Sequence, residues 1–195
     1  MNQVLENIYE RRSVRAFTEQ SVSEADIREM IKAGFHAPNG GNTQGLRFSV
    51  VTNKETIRRY SNLGRTASLD MFSKLNAKKP SDSLARMIKA LSNADNDIFH
   101  DAPALIFVFS SPSCLTPVED GSLAAENIML AAWSLGLGSC WIGFAKPLMY
   151  NPEVMKDLNM PADHQLIACL TIGYPKRTEM RSSSRQQPTI TAWLK

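Results

Sequence analysis

The run "ALIFVFS" at 104–110 constrains the fold more than any other stretch of this chain. Six apolar residues and a serine follow one another with no polar side to offer water. That length suits a strand, and such a strand lies inside a sheet with both faces covered. The chain must therefore supply apolar layers for both. One source is "LAAENIMLAAWSL" at 123–135, apolar over most of its circumference and hence a buried helix. "TPVED" marks its start, with Thr116 as N-cap, Pro117 as first helical residue and Glu119 closing a capping box; Gly136 marks its stop.

Other elements follow from periodicity and punctuation. Residues 2–10 read as a short helix. Ser23 opens another through the capping-box form "SEAD", with Ile27, Met30 and Ile31 on one face and Gly34 able to end it. "FHAPNGGNTQG" at 35–45 reads as loop, and "LRFSVVT" as a strand. Asn53 can cap a helix carrying Ile57, Tyr60 and Leu63. Residues 65–100 are polar, basic and loosely amphipathic, which predicts one or two surface helices around Pro80 and a lid. "GSCWIGF" at 138–144 reads as a strand. "NPEVMKDL" reads as a short helix capped by Asn151 with Pro152 first, and "HQLIACLTIGY" as a last core strand. The polar tail contains Ser182–Ser184, yet also Ile190 and Trp193, so 176–195 is expected to be an arm that docks on a partner subunit. Helices and strands interleave in an α+β or α/β plan with a covered sheet, and the direction of the strands stays open. A chain of 195 residues with 43% hydrophobic content suits one globular domain with a substantial core.

Composition excludes several functions. Net charge is +3, too mild to imply nucleic-acid binding. No apolar run is long enough for a bilayer span, and "MNQVLENIYE" has no apolar signal core. Cys114, Cys140 and Cys169 form no CxxC, no disulfide framework and no zinc pattern, which suits a reducing cytoplasm. His36, His100 and His164 share no metal-ligand spacing. "GLGSCW" begins like a dinucleotide fingerprint but has Trp141 at its third glycine position. "GSCWIGFA" has P-loop glycine spacing, but Phe144 and Ala145 replace the lysine and hydroxyl residue. No G-x-S-x-G elbow occurs.

Against this background "RRSVRAF" at 11–17 places Arg11, Arg12, Ser13 and Arg15 together. A solvated basic turn, a nucleic-acid arm and an anion-binding turn are the open readings. The arm is weakened by the lack of a broader basic excess. Anion-binding potential without an acid, base or nucleophile set is the pattern expected where a bound organic cofactor carries the chemistry.

Four stretches occur in order: "RRSVRAF", "APNGGNTQ" at 37–44, "AAENIMLAAWSLGLGSCWIGF" at 124–144 and "LTIGYP" at 170–175. Together they resemble the FMN-dependent nitroreductase family, over nearly the whole chain. The resemblance implies one α+β domain over 1–195 in an intertwined homodimer, with FMN at the interface touched by both subunits. It implies that Arg11, Arg12, Ser13 and Arg15 bind the flavin, arginine donors suiting its phosphate and the polar edge of its ring. Pro38, Asn39, Gly40 and Asn42 match the loop that reaches the flavin of the other subunit, and Gln44 stands at a usual glutamine. Cys140, Trp141, Ile142 and Gly143 match the segment along the isoalloxazine. Arg185 matches a second phosphate-binding arginine, and Lys74 is a candidate for the N1 edge. Departures are Gly45 at a common proline, Asn39 and Gly40 at common small hydroxyl residues, and Ser183 at an occasional lysine. The implied activity is two-electron reduction of nitroaromatics, quinones or related acceptors by NADH or NADPH, with no catalytic side chain. A dedicated dehalogenase, enal or aldehyde reductase or flavin-degrading enzyme is the alternative on this scaffold, and a non-catalytic flavin-binding protein is the alternative outside it.

Overall fold

A computed structural model describes residues 2–74, 81–177 and 185–195. The expected break at Pro80, Ser182–Ser184 and the departure at Ser183 lie outside the described residues. The elements run α1 (Gln3–Glu10), α2 (Glu24–Phe35), β1 (Leu46–Val51), α3 (Lys54–Lys74), α4 (Asp82–Ser92), β2 (Ala104–Ser110), α5 (Pro117–Ser134), β3 (Gly138–Trp141), α6 (Pro152–Asp157) and β4 (Gln165–Gly173). Short 3₁₀ turns at Gly40–Asn42 and Gly143–Tyr150 complete the path.

The four strands form one sheet in the order β1-β2-β4-β3, and every pairing is antiparallel. This fixes the direction that the sequence left open and makes the fold α+β. Strand β2 is buried along its whole length. Its alternate residues serve two different layers, as the period-2 geometry of a strand requires. Leu105, Phe107 and Phe109 pack with Ile57, Tyr60, Leu148 and Met155 from α3, the second 3₁₀ turn and α6. Ala104, Ile106 and Val108 pack with Ile27, Met30, Ala124 and Ile128 from α2 and α5.

Helix boundaries repay local inspection. Ser23 Oγ accepts the Asp26 N–H, so the cap of α2 forms. Gly34 does not end this helix. A Cβ there would stand 2.7 Å from Ile128 Cγ1 and 3.1 Å from the Ala124 carbonyl, so this glycine lets α2 lie close on α5. Helix α5 is closed off just past its C-cap, Leu135, by Gly136, whose φ of +74° suits glycine. Gly136 N–H donates to Trp133 O and Leu137 N–H to Ala132 O, the two bonds of a Schellman cap. At its start the expected box does not form. Thr116 makes no side-chain cap, and its hydroxyl instead donates to Asp120 Oδ1 at 2.7 Å, one residue beyond Glu119. "GSCWIGF" is likewise only half a strand: β3 stops at Trp141, and the chain turns into the 3₁₀ segment at Gly143.

Helix α3 runs through Lys74, well into the stretch expected to be lid. Its Gly64 and Ser68 allow close approach to the Phe144 carbonyl, which the Ser68 hydroxyl bonds at 3.2 Å. Near its start Arg59 pairs with Asp157 and lies over the Tyr60 ring. The Tyr60 hydroxyl donates to Asp157 at 3.3 Å, and burial first, then the Asp157 charge, pushes its phenol from 10.0 up to about 12. In the window between those values the folded chain holds a proton that the unfolded chain has lost. Stability is therefore expected to fall as pH rises from about 10 towards 12, and Tyr60→Phe to flatten that slope. Denaturant melts of both proteins across alkaline pH check this; parallel slopes would contradict it.

Candidate functional site

The arginine segment is built onto the open edge of β3. Ser13 bridges Ser139 in the parallel sense, and the Val14 N–H donates to Ser139 O at 2.9 Å. Gly138 makes room for this: a Cβ there would meet Val14 Cγ2 at 2.5 Å. Farther along, Thr18 N–H donates to Tyr174 O and Lys176 N–H to Ala16 O, which fastens the segment to the end of β4. Val14, Phe17 and Ala102 form a small apolar cluster beneath it, against Trp133. Residues 11–18 are thus a fixed ledge rather than a solvated turn.

On that ledge the three guanidinium groups differ. Arg11 is 17% exposed and pairs with Glu126 of α5 at 3.2 Å. Arg12 donates from Nη1 to the carbonyls of Tyr9 and Arg11, while its buried Nε has no acceptor. Arg15 is exposed, as is Ser13. The charge of Arg15 reaches two neighbours. Burial first, then Arg15, holds the His100 imidazole below its ordinary value. Burial raises the Cys140 thiol, against opposing effects from Arg15 and Ser13. So Cys140 and the ledge adjoin, as the sequence reading requires. Cys140 and Ile142 are buried, whereas Trp141 and Gly143 are exposed. The Ile142 N–H is committed to Cys169 O at 2.8 Å.

A buried guanidinium nitrogen without an acceptor is costly unless a ligand supplies one. An oxyanion such as a phosphate meets that need with charge-assisted bonds. The donor set therefore fits the phosphate and polar edge of a flavin.

Pro38, Asn39, Gly40, Asn42 and Gln44 come together in one loop, but elsewhere. That loop is fastened to the first turn of α5 by Gly40 N–H donating to Asp120 Oδ1 at 2.9 Å. Asn39 Oδ1 accepts the Gln44 N–H, and Gln44 Nε2 donates to Asn42 Oδ1. Gly41, Asn42 and Gln44 are all left-handed, with φ of 61°, 53° and 50°. Pro38, Asn42 and Gln44 are exposed. Among the described residues no hydrogen bond joins this loop to the arginine ledge, which meets α5 at Glu126 and the chain beyond its end. Arg185 is exposed in the tail, and Lys74 pairs with Asp70 on its own helix. The sequence reading missed Asp120 and Glu126, whose roles depend on contacts far along the chain. Among the described residues no cluster of His, Cys, Asp or Glu could hold a metal ion, and no helix is long and apolar enough to cross a membrane.

The nitroreductase family profile matches residues 8–174, and the chain belongs to that family. It is 29% identical over 180 residues to a putative NADH dehydrogenase/NAD(P)H nitroreductase of Archaeoglobus fulgidus, covering 90% of this chain and 87% of that one. It is 29% identical over 182 residues to an iodotyrosine deiodinase of Thermotoga neapolitana, covering 85% and 84%. A nitroreductase of Bacteroides fragilis solved with bound FMN superimposes with a TM-score of 0.81 at 28% identity, covering 98% of this chain and 99% of that one.

Proposed function

We propose that the chain is an FMN-dependent NAD(P)H oxidoreductase acting as a homodimer on nitroaromatics, quinones or related conjugated acceptors. The observation that carries this reading is the arginine ledge, with its buried Arg12 Nε left for an oxyanion. Relatives named as NAD(P)H nitroreductases and a similar structure holding FMN support it. FMN held there would supply two-electron hydride chemistry, through its own N5, between NADH or NADPH and the acceptor.

The chain's own residues bind and tune. Arg12, Ser13 and Arg15 bind the phosphate and polar edge, with Arg11 beside them and Arg185 reaching in from the arm. Cationic donors at that edge favour a reduced, negatively charged ring. Cys140–Gly143 lie along the isoalloxazine. Because the Ile142 N–H is already bonded to Cys169 O, the ring contact falls to neighbouring backbone groups. Hydride donor and acceptor occupy one pocket in turn, with ping-pong kinetics. The described stretches 65–74 and 81–100 are read as a lid beside it, anchored in the core by Leu91 and Phe99, as part of one domain.

Two groups of observations support the dimer. Among the described residues no hydrogen bond joins the loop of Pro38–Gln44 to the ledge, which leaves the loop available to a partner's site. Apolar side chains also stand exposed on α1 (Val4, Leu5, Ile8, Tyr9) and in the arm, where Trp193 is 72% and Leu194 95% exposed. A groove of about 760 Å³ along the unpaired edge of β1 offers such an arm a seat. Three free cysteines fit a reducing cytoplasm.

A dedicated-substrate reductase, such as a dehalogenase, is the second reading, favoured by the likeness to the deiodinase. An absorption spectrum of the purified protein, followed by anaerobic NADH or NADPH and then acceptor, tests both. Flavin bands that bleach and then recover with a nitroaromatic or quinone are expected. Bleaching without recovery except by a halogenated phenol would favour the second reading. Stoichiometric FMN without turnover would leave only a flavin-binding protein, and failure to bind FMN at all would overturn every version.

A further inference from the structure

Asp120 is a carboxylate only 2% exposed, placed in the first turn of α5. Its backbone N–H bonds Thr116 O as a helix should. Its side chain turns outward to another segment: Oδ1 accepts the Gly40 N–H at 2.9 Å and the Thr116 hydroxyl at 2.7 Å. Nothing in helix formation asks for this. The seam is tight, since a Cβ on Gly40 would stand 2.4 Å from Thr116 Oγ1. It is also polar and incomplete, because Asp120 Oδ2 and Thr43 Oγ1 are both buried without a partner. The loop held there carries two non-glycine residues, Asn42 and Gln44, in the left-handed region. Such backbone persists only where surrounding contacts over-determine it. Asp120 is the contact that ties this loop to a long, rigid helix.

We infer that Asp120 is a positioning residue: it fixes the Asn39–Gln44 loop in the shape that presents Asn42 and Gln44 to the flavin held by the partner's ledge. The inference rests on the proposed shared flavin site, but its first readout does not. Asn42 and Gln44 are exposed, their side chains bonded to each other, while the Asp120 carboxylate that anchors their loop is buried. A short, well-anchored loop contributes geometry at little entropic loss on binding. Its anchor therefore affects affinity without touching the ligand.

The test uses the full-length protein and three variants. Asp120→Asn keeps an oxygen acceptor for the Gly40 N–H and the Thr116 hydroxyl. Asp120→Ala leaves both donors without it. Gly40→Ala pries the same seam apart from the loop side and serves if Asp120→Ala fails to fold. Hydrogen exchange in the flavin-free protein is expected to quicken about tenfold or more at residues 40–44 in Asp120→Ala and Gly40→Ala, with Asp120→Asn close to the parent. FMN affinity, read by flavin fluorescence, is expected to weaken about tenfold in the same two variants and to be restored in Asp120→Asn. Mixed dimers then tell where the loop acts. One Asp120→Ala chain paired with one Arg12→Ala chain is expected to retain one tight FMN site per dimer, because one ledge still faces one intact loop. Unchanged exchange at 40–44 in both loosened variants would overturn the positioning role. Loosened exchange with unchanged FMN affinity would overturn its reach to the flavin. A parent protein that binds no FMN would defeat the shared-site reading and leave the exchange result to judge the anchor alone.

Discussion

Arg12→Ala is expected to lower FMN affinity by about ten- to a hundredfold, the loss of one charge-assisted contact worth roughly 1.5–3 kcal/mol. The argument turns on differences within one cluster. Arg11 already has Glu126 as counter-ion, so part of its charge is spent inside the protein. Arg15 is exposed, so water and salt screen it. Arg12 is held by two backbone carbonyls, with a buried Nε that has nothing to bond. Less side-chain ordering therefore remains to be done when an oxyanion arrives. Arg15→Ala is expected to show a smaller loss that fades as salt is raised, whereas the Arg12 effect persists. Fluorescence titrations of FMN at low and high ionic strength measure both. Equal affinities for Arg12→Ala and the parent would mean that the ledge does not hold the phosphate.

The ledge also marks where the sequence stops being informative. The cluster Arg11–Arg15 was visible as unusual charge, and its resemblance to a flavin motif gave it a role. That it is a ledge depends on Ser13 pairing with Ser139, and on Gly138 lacking a side chain where Val14 lies. Contacts so far apart along the chain leave no local pattern. Elements with local causes were legible. The continuous apolar run of β2, the Ser23 and Asn151 caps and the Gly136 stop all arise from neighbouring residues. Where long-range partners intervened, local rules misled. Thr116 and Glu119 have the form of a capping box, but Gly40 draws Asp120 into the seam and the Thr116 hydroxyl follows. Gly34 has the form of a helix stop but serves the approach of α2 to α5. "GSCWIGF" has strand composition, yet its regular register with β4 ends at Trp141 opposite Leu170, with one further bond from Ile142 N–H to Cys169 O. Periodicity measures what a residue prefers, whereas pairing depends on what lies beside it.

Phe107→Ala is expected to be the most destabilising single truncation, at about 3–5 kcal/mol, the usual range for emptying a buried aromatic site. Phe107 is fully buried at the centre of β2. It meets Phe109 at a centroid distance of 6.3 Å with nearly parallel rings, and Tyr60 edge-on at 6.1 Å. Removing it leaves a cavity between the sheet and α3 that these rigid neighbours cannot close. For a chain of this size the melting temperature should drop by about 6–20 °C. Phe107→Leu fills most of the space and should lose much less. Thermal melts of the flavin-free protein measure this, and a loss of only about 2 °C in Phe107→Ala would mean that the core relaxes around the gap. The two variants argued here separate two kinds of failure. Phe107 shares its cluster with Cys140 and Ile142, the segment assigned to the isoalloxazine. Phe107→Ala should therefore lower stability and loosen FMN together, by way of that segment. Arg12→Ala should loosen FMN and leave the melting of the flavin-free chain nearly unchanged. In the proposed site the scaffold would act on the cofactor through packing and the ledge through charge, so only the second effect should be separable from the fold.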